Sequence, residues 1–347
     1  MPLIVQSDRT LLLDVHSPAA EECRNALIPF AELLRSPEHL HTYEITPLSL
    51  WNAASAGFSY KDAVAALQRF SRYDIPQSVL AWIEETAGRF GKLRLVPGPV
   101  EQSEEKPELK EEYLYLVCSS PYVYKEICSY PSVKKLITPC TYNAGGGTFT
   151  KEGDGLQTDE TSVKDSGALQ TAPVSEEEKK YCFILHLTDR GTVKQDLLKL
   201  GWPVKDDVPL QDGKPLDIQL KETTAQGKTF ALRPYQKKSA EALIGNKGAG
   251  TGFGTIVLPC GAGKTIVGML IMSILKTNTL IVTTNISAVH QWIEELVDKT
   301  NLTRDQIAEY TGEEKTILPV TVATYQILTW RPDKNGPYPH FSLFRQN

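Results

Sequence analysis

The stretch from Leu258 to Thr265 reads LPCGAGKT and combines residue types that suit phosphate binding. Glycines let the backbone approach a ligand closely, so that its N–H groups can point at phosphate oxygens. The ammonium of Lys264 suits the β- and γ-phosphates of a nucleotide, and the hydroxyl of Thr265 suits Mg²⁺. The sequence therefore predicts a site for ATP and Mg²⁺, with Lys264 and Thr265 as its catalytic residues.

The loop fits the pattern G-x-x-x-x-G-K-[ST] except at its first position, where Leu258 replaces glycine. A glycine-rich turn that only caps a helix would account for neither the lysine nor the apolar stretch before the loop. The positions predicted to bind nucleotide here are Pro259, Cys260, Gly261, Ala262, Gly263, Lys264 and Thr265.

Apolar segments that could position this loop lie on both sides of it. GTIVLPC before the loop is predicted to be a strand, and GKTIVGMLIMSILK after it a helix. TLIVTT, SAVHQWIEELVDKT and LPVTVATY then follow as strand, helix and strand. Strands separated by helices indicate a parallel α/β sheet.

The first hundred residues combine short apolar runs with amphipathic segments. PLIVQS and TLLLDV are predicted to form a hairpin, and KLRLV a closing strand. Helices are predicted over Ser17–Arg35 and Thr46–Gly57, since each begins with a hydroxyl residue followed by proline. SYKDAVAALQRFS and PQSVLAWIEETAGRFG continue as helices. The region is predicted to be a small helical or winged-helix-like domain.

The middle of the chain changes composition twice. Pro97–Glu112 is acidic with prolines and is predicted to be a linker, and YLYLVCS a strand. Asn143–Lys180 has few apolar residues and is predicted to be disordered. A small α/β unit is then predicted from YCFILHL as a strand, TVKQDLLKLGWPV as a helix, and VPLQDGKPLDIQL as turns and another strand. The chain is thus expected to be a multidomain α/β protein. Its N-terminal domain is expected at 1–100, followed by a linker and variable, partly disordered segment at 101–180. The small α/β unit is expected at 181–228 and the phosphate-loop lobe at 229–347.

Composition narrows the class of protein further. The 347 residues carry a net charge of −5, so bulk charge does not indicate nucleic-acid binding, although a local basic groove stays possible.

None of the six cysteines forms a C-x-x-C pair, which favours reduced thiols over a zinc or disulfide framework. The longest apolar run is about half of a membrane span, and the first residues lack a secretory signal. A cytoplasmic, nucleoid-associated protein is expected, or a nuclear one in a eukaryote.

The order of several motifs resembles the XPB-type DNA helicases of superfamily two. LRPYQ precedes LPCGAGKT, while TNISAVHQW and TVATYQIL follow the next two predicted strands. Leu258 fits this resemblance because the first loop position is relaxed in helicases. The N-terminal domain of the family is resembled by two segments, PLIVQSDRTLLLDVHSPAAEECRNALIPFAEL and ITPLSLWNAASAGFSYKDAVAALQRFSRYDIP, and its damage-recognition domain by LLKLGWPVKDDVPLQDG. A different DNA motor, such as a restriction-enzyme translocase, fits the N-terminal part less well.

The resemblance implies an ATP-dependent helicase or translocase with 3′–5′ polarity, acting in DNA repair or in opening DNA for transcription. It implies that Gln236 binds adenine and that Arg233 supports the adenine pocket. A protein partner, such as a nuclease or a repair or transcription factor, is expected on the N-terminal domain. Trp292 is expected in the core, while Tyr325 is equally suited to packing and to DNA. The residues implied to line a DNA strand are Thr284, Asn285, His290, Gln291, Thr324 and Tyr325.

Two parts of the family's ATPase are missing from the sequence. No D-E-x-H box follows TVATYQ, and neither does a second RecA-like lobe with arginine fingers. The chain is therefore expected to be the N-terminal part of a longer helicase, with a truncated RecA-like lobe that does not turn over ATP alone. The alternative is a non-catalytic fragment that binds DNA and a partner protein. The residues do not give translocation polarity, lesion preference, partner identity or oligomeric state.

Overall fold

The computed structural model describes residues 1–102, 110–141, 174–175, 178–209, 213–224, 227–245, 251–333 and 338–340. The chain divides into two compact units, Met1–Pro209 and Leu210–Asn347. Each unit has its own sheet structure and its own apolar core. In the described part of the chain, no helix is long and apolar enough to cross a membrane.

The first unit begins with an antiparallel sheet and four helices. The strands are β1 (Leu3–Val5), β2 (Thr10–Asp14), β3 (Glu32–Arg35) and β4 (Leu40–Glu44). The helices are α1 (Ala20–Leu27), α2 (Pro47–Ser55), α3 (Tyr60–Phe70) and α4 (Gln77–Ala87). The strand order is β1-β2-β4-β3, and the antiparallel pairing of β1 with β2 confirms the predicted hairpin.

Helix α1 is shorter than the helix predicted over Ser17–Arg35. It ends at Leu27, and residues 32–35 instead pair with β4 as strand β3. Pro29 explains the difference, because proline has no backbone N–H and its ring clashes with the preceding turn. Helix α2 does begin as predicted, since the hydroxyl of Thr46 accepts the backbone N–H of Ser49 at 3.0 Å.

A second sheet of the first unit has five strands. They are β5 (Leu93–Gln102), β6 (Lys110–Cys118), β7 (Thr138–Cys140), β8 (Cys182–His186) and β9 (Val204–Asp206). Their order is β7-β8-β6-β5-β9, and only the β5–β9 pair is parallel. Helices α5 (Pro121–Cys128), α6 (Pro131–Lys134) and α7 (Arg190–Lys199) contribute to the core on one face.

This five-stranded sheet combines residues that the sequence divided among three segments. Strands β5 and β6 include much of the predicted linker Pro97–Glu112, whose ends pair with each other. Strands β8 and β9 come from the predicted α/β unit. Composition missed the strands at the two ends of this segment because strand pairing depends on partners elsewhere in the chain, and residues 103–109 between them lie outside the described residues. Most of the segment predicted to be disordered, Asn143–Lys180, lies outside the described residues.

The second unit contains a parallel sheet with helices. The strands are β10 (Thr279–Thr283), β11 (Ile307–Tyr310) and β12 (Val320–Thr324), in the order β10-β12-β11. The helices are α8 (Pro234–Ile244), α9 (Lys264–Leu275), α10 (Ile286–Lys299) and α11 (Tyr325–Thr329). Both strand pairs are parallel, which confirms the parallel α/β prediction. Met269, Val289 and Val322 lie in the common core.

Two predicted strands are not formed in the described part of this unit. Residues 254–260 before the phosphate loop are irregular, and Val257 is 87% exposed. A strand requires a hydrogen-bonded neighbour, and β10, β11 and β12 pair only among themselves. The segment 213–220 likewise forms isolated bridges, although its Leu216 and Ile218 are buried in the core of the second unit.

Candidate functional site

The phosphate-loop residues form a tight turn directly before α9. Gly261 and Gly263 have φ angles of +75° and +78°, in the left-handed region that favours glycine. Because α9 begins at Lys264, the N–H groups of its first turn have no acceptor within the helix. The positive end of the helix dipole lies at the same place. The turn therefore presents backbone donors suited to an anion such as phosphate.

Gly263 lies directly against Gln236 of helix α8. A Cβ atom at position 263 would lie 2.6 Å from the Gln236 Nε2 atom. That nitrogen donates to the carbonyl of Ala262 at 3.0 Å, and the Oε1 atom accepts the N–H of Arg233 at 2.9 Å. Gln236 is 5% exposed. The glutamine that was predicted to bind adenine thus also connects the start of α8 to the phosphate loop.

Tyr235 makes a second connection that the sequence analysis did not anticipate. Its hydroxyl donates to the Ala262 carbonyl at 2.7 Å and accepts a hydrogen bond from Arg233 Nη1 at 3.2 Å. The signal was present, since Tyr235 lies in the quoted motif LRPYQ next to Gln236. Two neighbouring side chains of one motif therefore hold the same loop carbonyl.

Lys264 and Thr265 occupy the first turn of α9. The Lys264 ammonium donates to the carbonyls of Leu258 and Pro259, at 3.0 and 3.1 Å. Lys264 is exposed, and these loop carbonyls are contacts that phosphate oxygens can replace. The Thr265 hydroxyl is a hard oxygen donor, which fits Mg²⁺ held otherwise by water and phosphate. Within the described ranges no group of three or more His, Cys, Asp or Glu residues is placed to hold a metal ion.

Gln236→Glu is expected to loosen the phosphate loop. The carboxylate still accepts the Arg233 N–H, but it faces the Ala262 carbonyl with an acceptor instead of a donor. We expect the affinity for MgADP to fall at least about tenfold and the free energy of unfolding to fall by about 1–3 kcal/mol. Fluorescence titration and urea denaturation measure the two effects. Gln291→Glu, on the exposed surface of α10, is the control, and wild-type affinity in Gln236→Glu would contradict the assignment.

Polar residues that follow β10 and β12 lie together at one edge of the sheet. The two strands are parallel and in register, so they end at the same edge. The Gln326 side chain donates from Nε2 to the Thr284 carbonyl at 2.8 Å and connects the two strand ends. Four of the six residues predicted to contact DNA are brought together here, namely Thr284, Asn285, Thr324 and Tyr325.

Two of these four residues cap helices. Asn285 Oδ1 accepts the N–H of Ala288 at 2.8 Å at the start of α10. Thr324 is 5% exposed and its hydroxyl accepts the N–H of Ile327 at 3.5 Å at the start of α11. Tyr325 is 56% exposed, which favours its availability for a ligand over the packing alternative. The edge thus presents two helix starts and an aromatic ring.

The remaining two predicted contacts, His290 and Gln291, lie on the exposed side of α10. His290 Nε2 is 3.0 Å from the Glu309 Oε2 atom, and Glu309 also accepts the Thr311 hydroxyl at 2.8 Å. Glu309 is 5% exposed and was not anticipated. Its one signal in the sequence is a single carboxylate inside the apolar strand β11. The buried carboxylate orients the imidazole of His290.

Trp292, expected in the core, is partly buried and lies in the contact between α9 and α10. It packs against the core of the second unit. A Cβ atom on Gly268 of α9 would lie 2.8 Å from the Trp292 Cη2 atom, so the indole rests on the helix backbone. The ring is therefore part of the packing that places α9, and with it the phosphate loop, against α10.

Comparison with protein families gives two matches. A family described as "Helicase conserved C-terminal domain" matches residues 3–139. A family described as "Type III restriction enzyme, res subunit" matches residues 229–337, which include the phosphate loop and all six predicted DNA contacts. This second match lies within the second unit of the structure, which holds both the phosphate loop and the predicted DNA contacts.

Individual relatives extend over nearly the whole chain. The chain is 39% identical to the DNA 3'-5' helicase XPB of Kineococcus radiotolerans, over 99% of its own length and 51% of that protein. The DNA 3'-5' helicase XPB of Mycobacterium tuberculosis is also 39% identical, over 99% of this chain and 52% of its own length.

A eukaryotic relative is more distant. The Schizosaccharomyces pombe General transcription and DNA repair factor IIH helicase/translocase subunit XPB is 25% identical, over 92% of this chain and 40% of that protein. The chain spans about half the length of the two bacterial relatives. The chain is therefore a relative of the XPB helicases throughout its length, which confirms the resemblance drawn from its motifs.

Proposed function

We propose that the full-length protein is an ATP-dependent DNA helicase or translocase that moves with 3′–5′ polarity. The single observation that carries this proposal is the contact of Tyr235 and Gln236 with the Ala262 carbonyl, since it joins the LRPYQ motif to the phosphate loop in one site. The bacterial relatives named DNA 3'-5' helicase XPB support the activity and its direction.

In the proposed site, backbone N–H groups of the loop and the first turn of α9 bind the phosphates of ATP. Lys264 leaves its loop carbonyls for the β- and γ-phosphates, and Thr265 supplies one oxygen ligand to Mg²⁺. Bound Mg²⁺ neutralises the charge that develops on the phosphates during transfer. Gln236 still has one amide N–H and one oxygen lone pair for adenine, and Arg233 lies beside it.

The proposed DNA track follows the strand ends at the sheet edge. Helix starts bind phosphates through backbone N–H groups without reading the base sequence, and α10 and α11 both begin here. The exposed ring of Tyr325 is placed to stack on a base. His290 and Gln291 continue the track along α10. Such sequence-independent contacts suit a motor that moves along DNA.

The wider role is also proposed from the relatives. The second unit would be the first RecA-like lobe of the motor, and the start of the chain a winged-helix-like domain that docks a nuclease or a repair or transcription factor. Of the predicted segment 181–228, residues 181–209 belong to the first unit and would contribute to a damage-recognition module, whereas Leu216 and Ile218 pack in the core of the second unit. The eukaryotic relatives named as subunits of transcription and DNA repair factor IIH support a place in repair or in transcription-linked DNA opening, and hence a location with the nucleoid or nucleus.

DNA-stimulated ATP hydrolysis and unwinding by the full-length protein test this proposal. Duplexes with a 3′ single-stranded tail are expected to be unwound, and duplexes with a 5′ tail are not. A polypeptide of these 347 residues alone is expected to show no DNA-stimulated turnover, because no D-E-x-H box is present after Lys264. Turnover by that polypeptide would contradict the prediction, and a full-length protein without any ATP hydrolysis would contradict the function.

Tyr325→Ala is expected to weaken binding of single-stranded DNA by about 5- to 100-fold, since stacking on one aromatic ring contributes about 1–3 kcal/mol per base. Fluorescence anisotropy with a labelled oligonucleotide at fixed salt measures the affinity. Tyr73→Ala is the matched control, because Tyr73 is 65% exposed but lies in the first unit. Equal affinities of the Tyr325 variant and wild type would remove this ring from the DNA track.

A further inference from the structure

Two buried cysteines face each other in the sheet of the first unit. Cys140 ends strand β7 and Cys182 begins strand β8, and the two residues are directly opposite in the antiparallel pair. Their Sγ atoms are 3.2 Å apart, and the Cys182 thiol also donates to the Cys140 carbonyl at 2.9 Å. Cys182 is fully buried and Cys140 is 5% exposed. The adenine, phosphate and DNA contacts proposed above use neither thiol.

The register of β7 and β8 suits a disulfide between these two residues. Opposite residues of antiparallel strands have Cα atoms about 4.5 or 5.5 Å apart, within the range of about 4.4–6.8 Å that a disulfide bridges. Side chains of opposite residues project to the same face of a sheet. The sulfur atoms therefore need only side-chain rotation to approach from 3.2 Å to a bond length of about 2.0 Å.

Cys118, Cys23 and Cys260 lack this arrangement. Cys118 is in the neighbouring strand β6, but it lies in the core on the opposite face from Cys140 and Cys182. Cys23 is buried in the separate core formed by β1, β2 and α1, and Cys260 lies in the exposed phosphate loop.

We propose that Cys140 and Cys182 are an oxidation site that converts reversibly between a dithiol and a disulfide. With hydrogen peroxide as oxidant, one thiolate attacks a peroxide oxygen, which yields a sulfenic acid and releases hydroxide. The second thiol attacks the sulfenic sulfur, and the S–O bond breaks with loss of water. Together the thiols lose two electrons and two protons, and the peroxide becomes two water molecules.

The location of the pair gives the disulfide a structural effect. Strand β7 is a three-residue strand at the edge of the sheet, where local opening requires little free energy. Such opening admits a small oxidant to the buried thiols. The bond then closes a covalent ring from Cys140 to Cys182 and fixes β7 to β8. Cross-links that close long loops restrict the unfolded chain most, so oxidation should stabilise the first unit.

Peptide mapping of the wild-type chain tests the bond without any variant. The protein is treated with hydrogen peroxide, denatured, alkylated and digested without reductant, and a control sample is first reduced with dithiothreitol. We expect a cross-linked peptide pair containing Cys140 and Cys182, lighter by two hydrogen atoms and absent after reduction. No cross-link, or cross-links only through Cys118 or Cys260, would overturn the proposal.

The thermal midpoint of the first unit tests the structural effect. Oxidation is expected to raise it by about 5–15 °C, and dithiothreitol to reverse the rise. Cys140→Ser and Cys182→Ser should each abolish the oxidative shift, while Cys23→Ser should retain it. A cross-linked protein with an unchanged midpoint, or a shift that persists in both serine variants, would contradict the proposed role.

Discussion

Gly263→Ala is expected to abolish nucleotide binding, with a larger loss of stability than Gly261→Ala. Both glycines have left-handed backbone angles, so either alanine costs about 1–2 kcal/mol in backbone strain. Only at position 263 would the new Cβ atom lie 2.6 Å from Gln236 Nε2, whereas position 261 has no atom within 4 Å. The alanine therefore displaces the amide that holds the Ala262 carbonyl.

The difference between the two alanine variants isolates this contact. The Ala262 carbonyl keeps its hydrogen bond from the Tyr235 hydroxyl, but leaving the buried Gln236 amide unpaired costs about 1–3 kcal/mol beyond the backbone strain. Urea denaturation should therefore give the highest free energy of unfolding for the wild type, a lower value for Gly261→Ala and the lowest for Gly263→Ala. Nucleotide titration should show weakened binding for the first variant and none for the second. If the two variants had the same free energy of unfolding and the same nucleotide affinity, the contact between Gln236 and the loop would not be what holds the site together.

Lys264→Ala is expected to lower the rate of ATP hydrolysis by the full-length protein by about 10²–10³-fold. Removing one preorganised group that stabilises developing charge typically has an effect of this size. The exposed Lys264 ammonium donates to the backbone carbonyls of Leu258 and Pro259, so its loss should leave the fold intact. Steady-state hydrolysis with saturating DNA measures the rate, and circular dichroism checks the fold.

Lys238→Ala is the matched control for this substitution. Lys238 is exposed on α8, two residues after Gln236, and its loss should leave hydrolysis unchanged. A Lys264 variant that hydrolyses ATP at the wild-type rate would contradict the site. A variant that loses hydrolysis but still supports the protein's pathway would instead favour a non-catalytic role in binding DNA and a partner.

Much of the second unit could be predicted because its signals are local. The alternation of apolar strands and amphipathic helices gave β10, α10 and β12 and their parallel arrangement. The strand predicted at residues 254–260 was wrong, because a strand also depends on a partner that local sequence does not name. The five-stranded sheet was missed for the same reason, since its strands come from widely separated positions.

The candidate site was predicted in its residue types but not in its internal contacts. The motif LPCGAGKT identified the left-handed glycines and the lysine at the helix start. The sequence did not show that Tyr235 and Gln236 share the Ala262 carbonyl, because their distance from the loop depends on how α8 packs against α9. Glu309 was missed because its partner, His290, is on a different element.

Isothermal titration of the 347-residue chain with MgADP tests the nucleotide site most directly. The site predicts saturable binding by the wild type, a loss of affinity of at least about tenfold in Lys264→Ala, equivalent to about 1.4 kcal/mol, and no change in Lys238→Ala. Absence of binding by the folded wild-type chain, or equal affinities of the wild type and Lys264→Ala, would contradict the account of this loop as an ATP site.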